Sequence, residues 1–295
     1  MPKDITICIV NYNTSDFILN ALYCLEKITK NNYKVIIRDN NSTIEDYLNL
    51  KKKIIEYPNV ELYRVKNFND TGSMAHGIAL NELVTRIDTK FGVIIDPDFT
   101  FLHKHWDEIL ISKLNEKCPI IGTQAPIRPG PLQKPRDFPI IYGILFDNEI
   151  IKKFKIDFRP DFNANEEITI NDTGYQLREK LLKNGFYGKI LEDRNSFNYK
   201  LGYFKNIDCS KFYLKGYRQI FGSHLKGGWL YRNYEYIQYK YIKNSWRIIF
   251  SNIKEWRSVL YVTPIVGKYY LKFKAKREKK KWLKICRNIV DNVNE

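Results

Sequence analysis

Two short runs built almost wholly from apolar residues, ITICIV at 5–10 and FGVII at 91–95, constrain this chain more than anything else in it. A run that is apolar throughout, rather than at every second position, reads as a strand covered on both faces. Such strands belong to parallel sheets sandwiched between helices. The segments between them keep that rhythm. Apolar residues recur with helical spacing at Ile18, Ala21, Leu22, Leu25 and Ile28, so Phe17–Ile28 is expected to be a helix capped by Ser15 or Asp16. Val35–Ile37 and Val60–Val65 read as strands, and Leu48–Tyr57, Met74–Ile87 and Tyr175–Asn184 as helices, the last stopped by Gly185. The expected fold is α/β, with a mainly parallel sheet flanked by helices. In such sheets ligands collect at the carboxyl ends of the strands. The polar clusters Asn11–Asn13, Asp39–Ser42 and Asp96–Asp98 all fall there. The proline-rich APIRPGPLQKPRDFP reads as a long ordered loop beside them, followed by the strand-like IIYGILF.

The net charge of +16 is unevenly placed: residues 211–295 hold 20 Lys and Arg against 5 Asp and Glu, and the first 210 are nearly balanced. That asymmetry favours an appended contact with an anionic surface over a nucleic-acid-binding core. From about Trp229 the pattern is amphipathic and helical, with aromatic rings interleaved among cations, as in WLYRNYEYIQYKYIKNSW and KYYLKFKAKREKKKWLKI. Residues 229–295 are therefore expected to meet an anionic membrane surface, with packing on the preceding domain or formation of a homodimer as the alternatives. Five dispersed cysteines without metal-binding spacing imply a reducing compartment, and Cys8 within the first strand implies a small buried residue. MPKDITICIV has no signal-peptide character, so a cytoplasmic protein is expected, peripheral on the inner face of the membrane.

Asp96-Pro97-Asp98 is the sharpest local signal. Two carboxylates two positions apart in an extended segment point the same way, an arrangement suited to holding Mg²⁺ or Mn²⁺ against phosphate oxygens. A simple Asp-Pro-Asp turn is the alternative.

Taken in order, ITICIVNYNTSDFILNAL, VIIRDNNST, GSMAHGIALNELV and FGVIIDPDFTF resemble the N-terminal half of family 2 glycosyltransferases of the GT-A fold, of the rhamnosyltransferase-like kind. The likeness covers residues 4–105 well and continues more loosely to about 230. It implies a Rossmann-like GT-A catalytic domain over 1–228, divided into a nucleotide-binding half (1–105) and an acceptor half (106–228), with the helical basic extension after it. It also implies an inverting transfer from a nucleoside-diphosphate sugar to a glycan or lipid-linked acceptor, assisted by a divalent metal. By the same resemblance Asn11, Tyr12, Asn13 and Asp39 would hold base and ribose, Asp39 by accepting a hydrogen bond from the base. Gly72, Ala75, His76 and Gly77 would line the nucleotide. Asp96 would face the ribose or metal, Asp98 would ligate the metal directly, and His224 would lie near metal and diphosphate. Relatives carry a Glu-Asp pair before a helix of the form x-D-L-x-L-R. Here Asn171-Asp172 precedes Tyr175-Gln176-Leu177-Arg178, so Asp172 is the candidate base, with Asn171 in place of the Glu. Glu166 and Glu167 are reserves, and Lys226, Arg128 and Arg136 are candidates for phosphate or acceptor contact. Structural alternatives stand beside these roles: an Asx-turn for Asp39, a helix cap for Asp172, a surface-helix histidine for His76 and a loop histidine for His224.

Other readings are weaker. A sugar nucleotidyltransferase would carry a glycine-rich, Arg/Lys-bearing loop after the first strand, where this chain has NYNTSD, and a Rossmann dehydrogenase would carry GxGxxG there. A basic α/β protein that binds nucleic acid or a membrane without transferase activity is the non-enzymatic alternative.

Overall fold

The computed structural model describes residues 4–66, 72–127, 134–161, 171–195, 202–205, 207–225 and 264–293. One ten-stranded sheet runs through these residues in the order β3-β2-β1-β4-β7-β6-β8-β9-β10-β5. Its first half is the expected parallel unit. β1 (Ile5–Asn11) lies between β2 (Tyr33–Asp39) and β4 (Phe91–Ile95), and β3 (Val60–Arg64) lies outside β2, all parallel. Alternate residues of β1 enter opposite layers. Ile5, Ile7 and Ile9 join one core cluster while Cys8 and Val10 join the other, which is why the run is apolar throughout. α1 (Ser15–Ile28) covers the first face, and α3 (Gly72–Thr85) and α6 (Tyr175–Lys183) cover the second. α2 (Ile44–Lys53) starts earlier than its apolar spacing suggested, because Thr43 caps it by accepting from the Asp46 amide. α1 is capped at Thr14 rather than Ser15 or Asp16, and the Thr14 hydroxyl bonds back to Asn11 Oδ1.

Beyond β4 the expected parallel pattern gives way. β7 (Ile140–Asp147) pairs antiparallel with both β4 and β6 (Ile120–Thr123), and β8 (Gly188–Asn195) returns parallel to β6. β9 (Cys209–Tyr213), β10 (Gly222–Leu225) and the three-residue β5 (Phe99–Phe101) complete an antiparallel edge. This edge folds the second half of the chain back over the turn that follows β4. Phe99 anchors the return: a Cβ on Gly143 of β7 or Gly222 of β10 would stand 2.5 and 2.6 Å from its ring. Only glycine lets both strands close on it. Two short helices, α4 (Trp106–Ile111) and α5 (Asn148–Lys153), fill the ends of the layers.

The described end of the chain takes the alternative of packing on the preceding domain. α7 (Pro264–Asn292) lies against α1 and β10, and Trp282, Cys286, Ile289 and Val290 are buried in the same core as β1 and α1. Trp282 meets the Phe17 ring at 5.9 Å and donates from Nε1 to Ser223 Oγ at 2.9 Å. Arg287 donates to Asn20 at 3.2 Å and Tyr23 donates to Asp291 at 2.7 Å. The apolar stripe from Trp282 to Val290 is therefore spent on the core, leaving Lys276, Arg277, Lys280, Lys281, Lys284 and Arg287 exposed. Residues 229–263 of the expected extension lie outside the described residues. Among the described residues no helix is long and apolar enough to cross a membrane.

Candidate active site

At the carboxyl rim the parallel strands end in a bonded polar mesh. Asn11 and Asp39 are register partners at the ends of β1 and β2, and the Asn11 amide donates to Asp39 Oδ2 at 2.8 Å and to Ser42 Oγ at 3.1 Å. Asn11 Oδ1 accepts from the Thr14 amide at 3.1 Å, while Asp39 Oδ1 accepts from the Ser42 amide at 3.2 Å with Arg64 Nε at 3.4 Å. Asn13 adopts a left-handed φ of 58°, which asparagine tolerates better than most residues, and its Oδ1 accepts from the Thr43 amide at 2.7 Å. The mesh locks the two loops to one another. Asp39 is fully buried with both oxygens engaged, so here it ties strand ends together. A direct bond from Asp39 to a base requires that arrangement to open. Tyr12, 42% exposed, is the member of this rim that faces outward.

The acid pair lies after β4, in a turn rather than the extended segment expected. The Phe99 amide bonds the Asp96 carbonyl at 2.9 Å, closing a four-residue turn in which Pro97 supplies the fixed φ favoured at the second position. The turn nonetheless brings the two side chains together, because neighbouring strands clamp both backbones. The Asp96 amide bonds Tyr142 of β7 at 3.0 Å, and the Asp98 carbonyl accepts from Leu225 of β10 at 2.9 Å. β10 also delivers His224, whose Nε2 lies 3.1 Å from Asp98 Oδ1 and whose ring stacks on Tyr142 at 4.1 Å. One ligand atom from each of Asp96, Asp98 and His224 lies within 4.8 Å of the others.

The electrostatics of this cluster are those of a site short of positive charge. Burial, reinforced by Asp98, pushes the Asp96 carboxyl up to about 7. Among the described residues its buried Oδ1 has no hydrogen-bond partner. Burial disfavours the His224 imidazolium, but Asp98 and then Asp96 outweigh it and hold the ring above its ordinary value. His76, on α3, approaches Asp96 Oδ1 to 3.6 Å, yet burial pulls it down to about 4, so at neutral pH this contact is made by a neutral imidazole. An orphaned carboxylate oxygen beside a second carboxylate and an imidazole is a donor set that a divalent cation completes. The residues fit the metal that their pattern implies.

Across the site stands Asp172, immediately before α6. Its Oδ2 lies 2.6 Å from Lys134 Nζ and its Oδ1 accepts from the Thr173 amide at 2.8 Å. Burial would raise this carboxyl, but the charge and hydrogen bond of Lys134, with bonds from Ser73 and Thr173, hold it well below the usual range. The cap alternative does not describe it: the helix is capped at Gly174, with a left-handed φ of 78° and no side-chain bond. Thr173 Oγ1 donates to the Ser73 carbonyl at 3.0 Å, tying this segment to the start of α3.

The sequence matches the family model described as Glycosyl transferase family 2 over residues 6–186, well over half of the chain. The chain belongs to glycosyltransferase family 2. Among curated protein sequences none matches it significantly. Among solved structures it is similar to the mannosyltransferase PcManGT from Pyrobaculum calidifontis, in complex with GDP-Man and Mn²⁺, at 11% identity and a TM-score of 0.50, covering 94% of this chain and 74% of that one. It is also similar to TarS 1–349 from S. aureus, at 12% identity and a TM-score of 0.48, covering 98% and 90%. The fold is that of the GT-A glycosyltransferases.

The transferase thus brings Asp96, Asp98, His224, His76 and Asp172 within electrostatic reach of one another, with Asn11, Tyr12, Asn13 and Asp39 at the ends of the neighbouring strands β1 and β2. Gly72 opens α3 with a φ of 59° and open space around its Cα. Gly77 lets α3 pack closely: a Cβ there would stand 2.6 Å from the backbone of Phe158 and Arg159. Arg136 is occupied structurally, bonding the Ala125 carbonyl and, at 2.7 Å, Gln124 Oε1. Arg128, Glu166, Glu167 and Lys226 lie outside the described residues. Sequence reasoning missed Lys134 and Tyr142. Lys134 sits in the proline-rich loop that the sequence marked, but nothing local separates it from Arg128 or Arg136.

Proposed function

We propose that the enzyme transfers a sugar, with inversion, from a nucleoside-diphosphate sugar to a glycan or lipid-linked acceptor. Base and ribose lie along Tyr12 and Asn13, on the rim that Asn11 and Asp39 tie together, and the diphosphate passes Gly72 and His76 to reach Asp96, Asp98 and His224. The observation that carries this reading is the orphaned Asp96 oxygen within the Asp96–Asp98–His224 cluster. Asp98, Asp96 and His224 would hold Mn²⁺ or Mg²⁺, which supplies charge neutralisation for a departing diphosphate. Asp172 accepts the proton of the acceptor hydroxyl as that oxygen attacks the anomeric carbon from the face opposite the leaving group. A positioned base contributes roughly 10²–10⁴ in rate. The cationic face of α7, from Lys276 to Arg287, supports an anionic-surface contact for acceptor delivery, while Trp282, Cys286, Ile289 and Val290 face the core.

A thermal-shift panel of nucleoside diphosphates with and without Mn²⁺ tests the donor reading. A metal-dependent rise in melting temperature with one nucleotide is expected, and no rise with any would overturn it. Asp172→Asn is expected to abolish turnover without weakening nucleotide binding, and parallel loss of both would remove Asp172 from the role of base. Co-sedimentation with anionic but not neutral liposomes is expected, and equal behaviour with both would remove the membrane contact.

A further inference from the structure

A carboxylate held in an ion pair, well below its ordinary proton affinity, is a poor base. Asp172 is in that condition, and what holds it there is a flexible side chain. Lys134 comes from the loop between β6 and β7, its side chain is 13% exposed, and its ammonium lies 2.6 Å from Asp172 Oδ2. The same charge is felt at Asp96 and at His76, so the ammonium lies within electrostatic reach of the acid cluster as well as of the candidate base. Asp172 does not depend on Lys134 for its position, because Oδ1 is bonded to the Thr173 amide and Thr173 is tied to α3. A lysine is a compact charge on a four-carbon stem, able to exchange one anion for another with little backbone movement. A diphosphate brings more negative charge than a single carboxylate.

Resting on the nucleotide-sugar reading above, we infer that Lys134 is a switch between two anions: it pairs with Asp172 in the free enzyme and moves to the donor's diphosphate on binding, releasing Asp172 to act as base. The base is thereby unmasked when a donor is present. Lys134 acts on Asp172 through its charge and is a binding residue for the diphosphate.

The two roles are coupled, and a double-mutant cycle reads the coupling. Affinities for UDP and GDP, each with Mn²⁺, are measured by calorimetry for wild type, Lys134→Met, Asp172→Asn and the double variant. Loss of a charge-assisted bond to phosphate predicts roughly tenfold weaker binding by Lys134→Met, with substantial recovery in Lys134→Arg. Asp172→Asn is expected to tighten binding, since nothing then competes for the ammonium. Removing a nearby negative charge tightens binding in any case, so the decisive comparison is between backgrounds. The gain from Asp172→Asn should be larger with Lys134 present than in the Lys134→Met protein. An equal or smaller gain means that Lys134 stays on Asp172 throughout and overturns the switch, as does a Lys134→Met protein that binds like wild type. If Lys134→Met does not fold, Lys134→Gln takes its place. Absence of nucleotide binding in wild type would defeat the donor reading itself, a failure distinct from that of the switch.

Discussion

Asp96→Asn is expected to make the metal-free enzyme more stable while destroying the site. An unfolded aspartate ionises near 3.8, whereas burial and then Asp98 keep the folded Asp96 protonated up to about 7. Between those values the folded state holds a proton that the unfolded state has released. Stability contributed by this group therefore falls as pH rises through that window and levels off above it. At about 1.4 kcal/mol per tenfold, the interval sets an upper bound of about 4 kcal/mol. Local water and side-chain relaxation reduce it, so a gain of about 2 to 4 kcal/mol at pH 8 is expected from the uncharged, near-isosteric asparagine, shrinking to about half at pH 5.5. The assay is urea unfolding of both proteins in a chelator at the two pH values. Mn²⁺ should close this gap and, at about a thousand times its dissociation constant, reverse the order, because ligand that binds the folded state alone adds about 2.7 kcal/mol at one hundred times that constant and about 4.1 kcal/mol at one thousand times, and only wild type retains the full site. A variant no more stable than wild type at pH 8, or a gain that does not shrink on acidification, refutes the account of Asp96 as a carboxylate strained by its surroundings.

Two further outcomes follow from the fold. Trp282→Ala empties a fully buried site and removes the bond to Ser223, the neighbour of His224, so a loss of about 3 to 5 kcal/mol in unfolding free energy is expected. A loss below about 1 kcal/mol would show that α7 is not part of the core. All five cysteines are buried and free, and burial pushes the Cys8 thiol up to about 12, so Ellman's reagent should label none in the native enzyme and five after unfolding. Rapid labelling of any native thiol would contradict that burial.

How much of this was legible in the sequence follows from where each element's contacts lie. β1, β2 and β4 could be read because a strand buried on both faces writes an unbroken apolar run, and Phe91–Ile95 was placed to the residue. β5, β6 and α4 escaped because three to six residues cannot display a period, and their partners are distant: β5 pairs with β10 more than a hundred residues later. The Asp96–Asp98 pair was found but its backbone was misjudged, since Pro97 suits an extended segment and the second position of a turn alike. The apolar stripe at Trp282, Cys286, Ile289 and Val290 has the spacing of any amphipathic helix, and sequence cannot say whether a membrane or a core covers it. Lys134 was invisible for a related reason. Its meaning comes from Asp172, thirty-eight positions away and brought to it by the sheet.

The claim on which the mechanism rests is that Asp96, Asp98 and His224 bind a divalent cation that meets the donor's diphosphate. Anomalous scattering from crystals grown with Mn²⁺ and a nucleoside diphosphate measures this most directly. A manganese peak in bonding contact with Asp98, His224 and a phosphate oxygen, with Asp96 turned towards it, is the predicted result. A bound nucleotide with its diphosphate elsewhere, or manganese held by other residues, would contradict it.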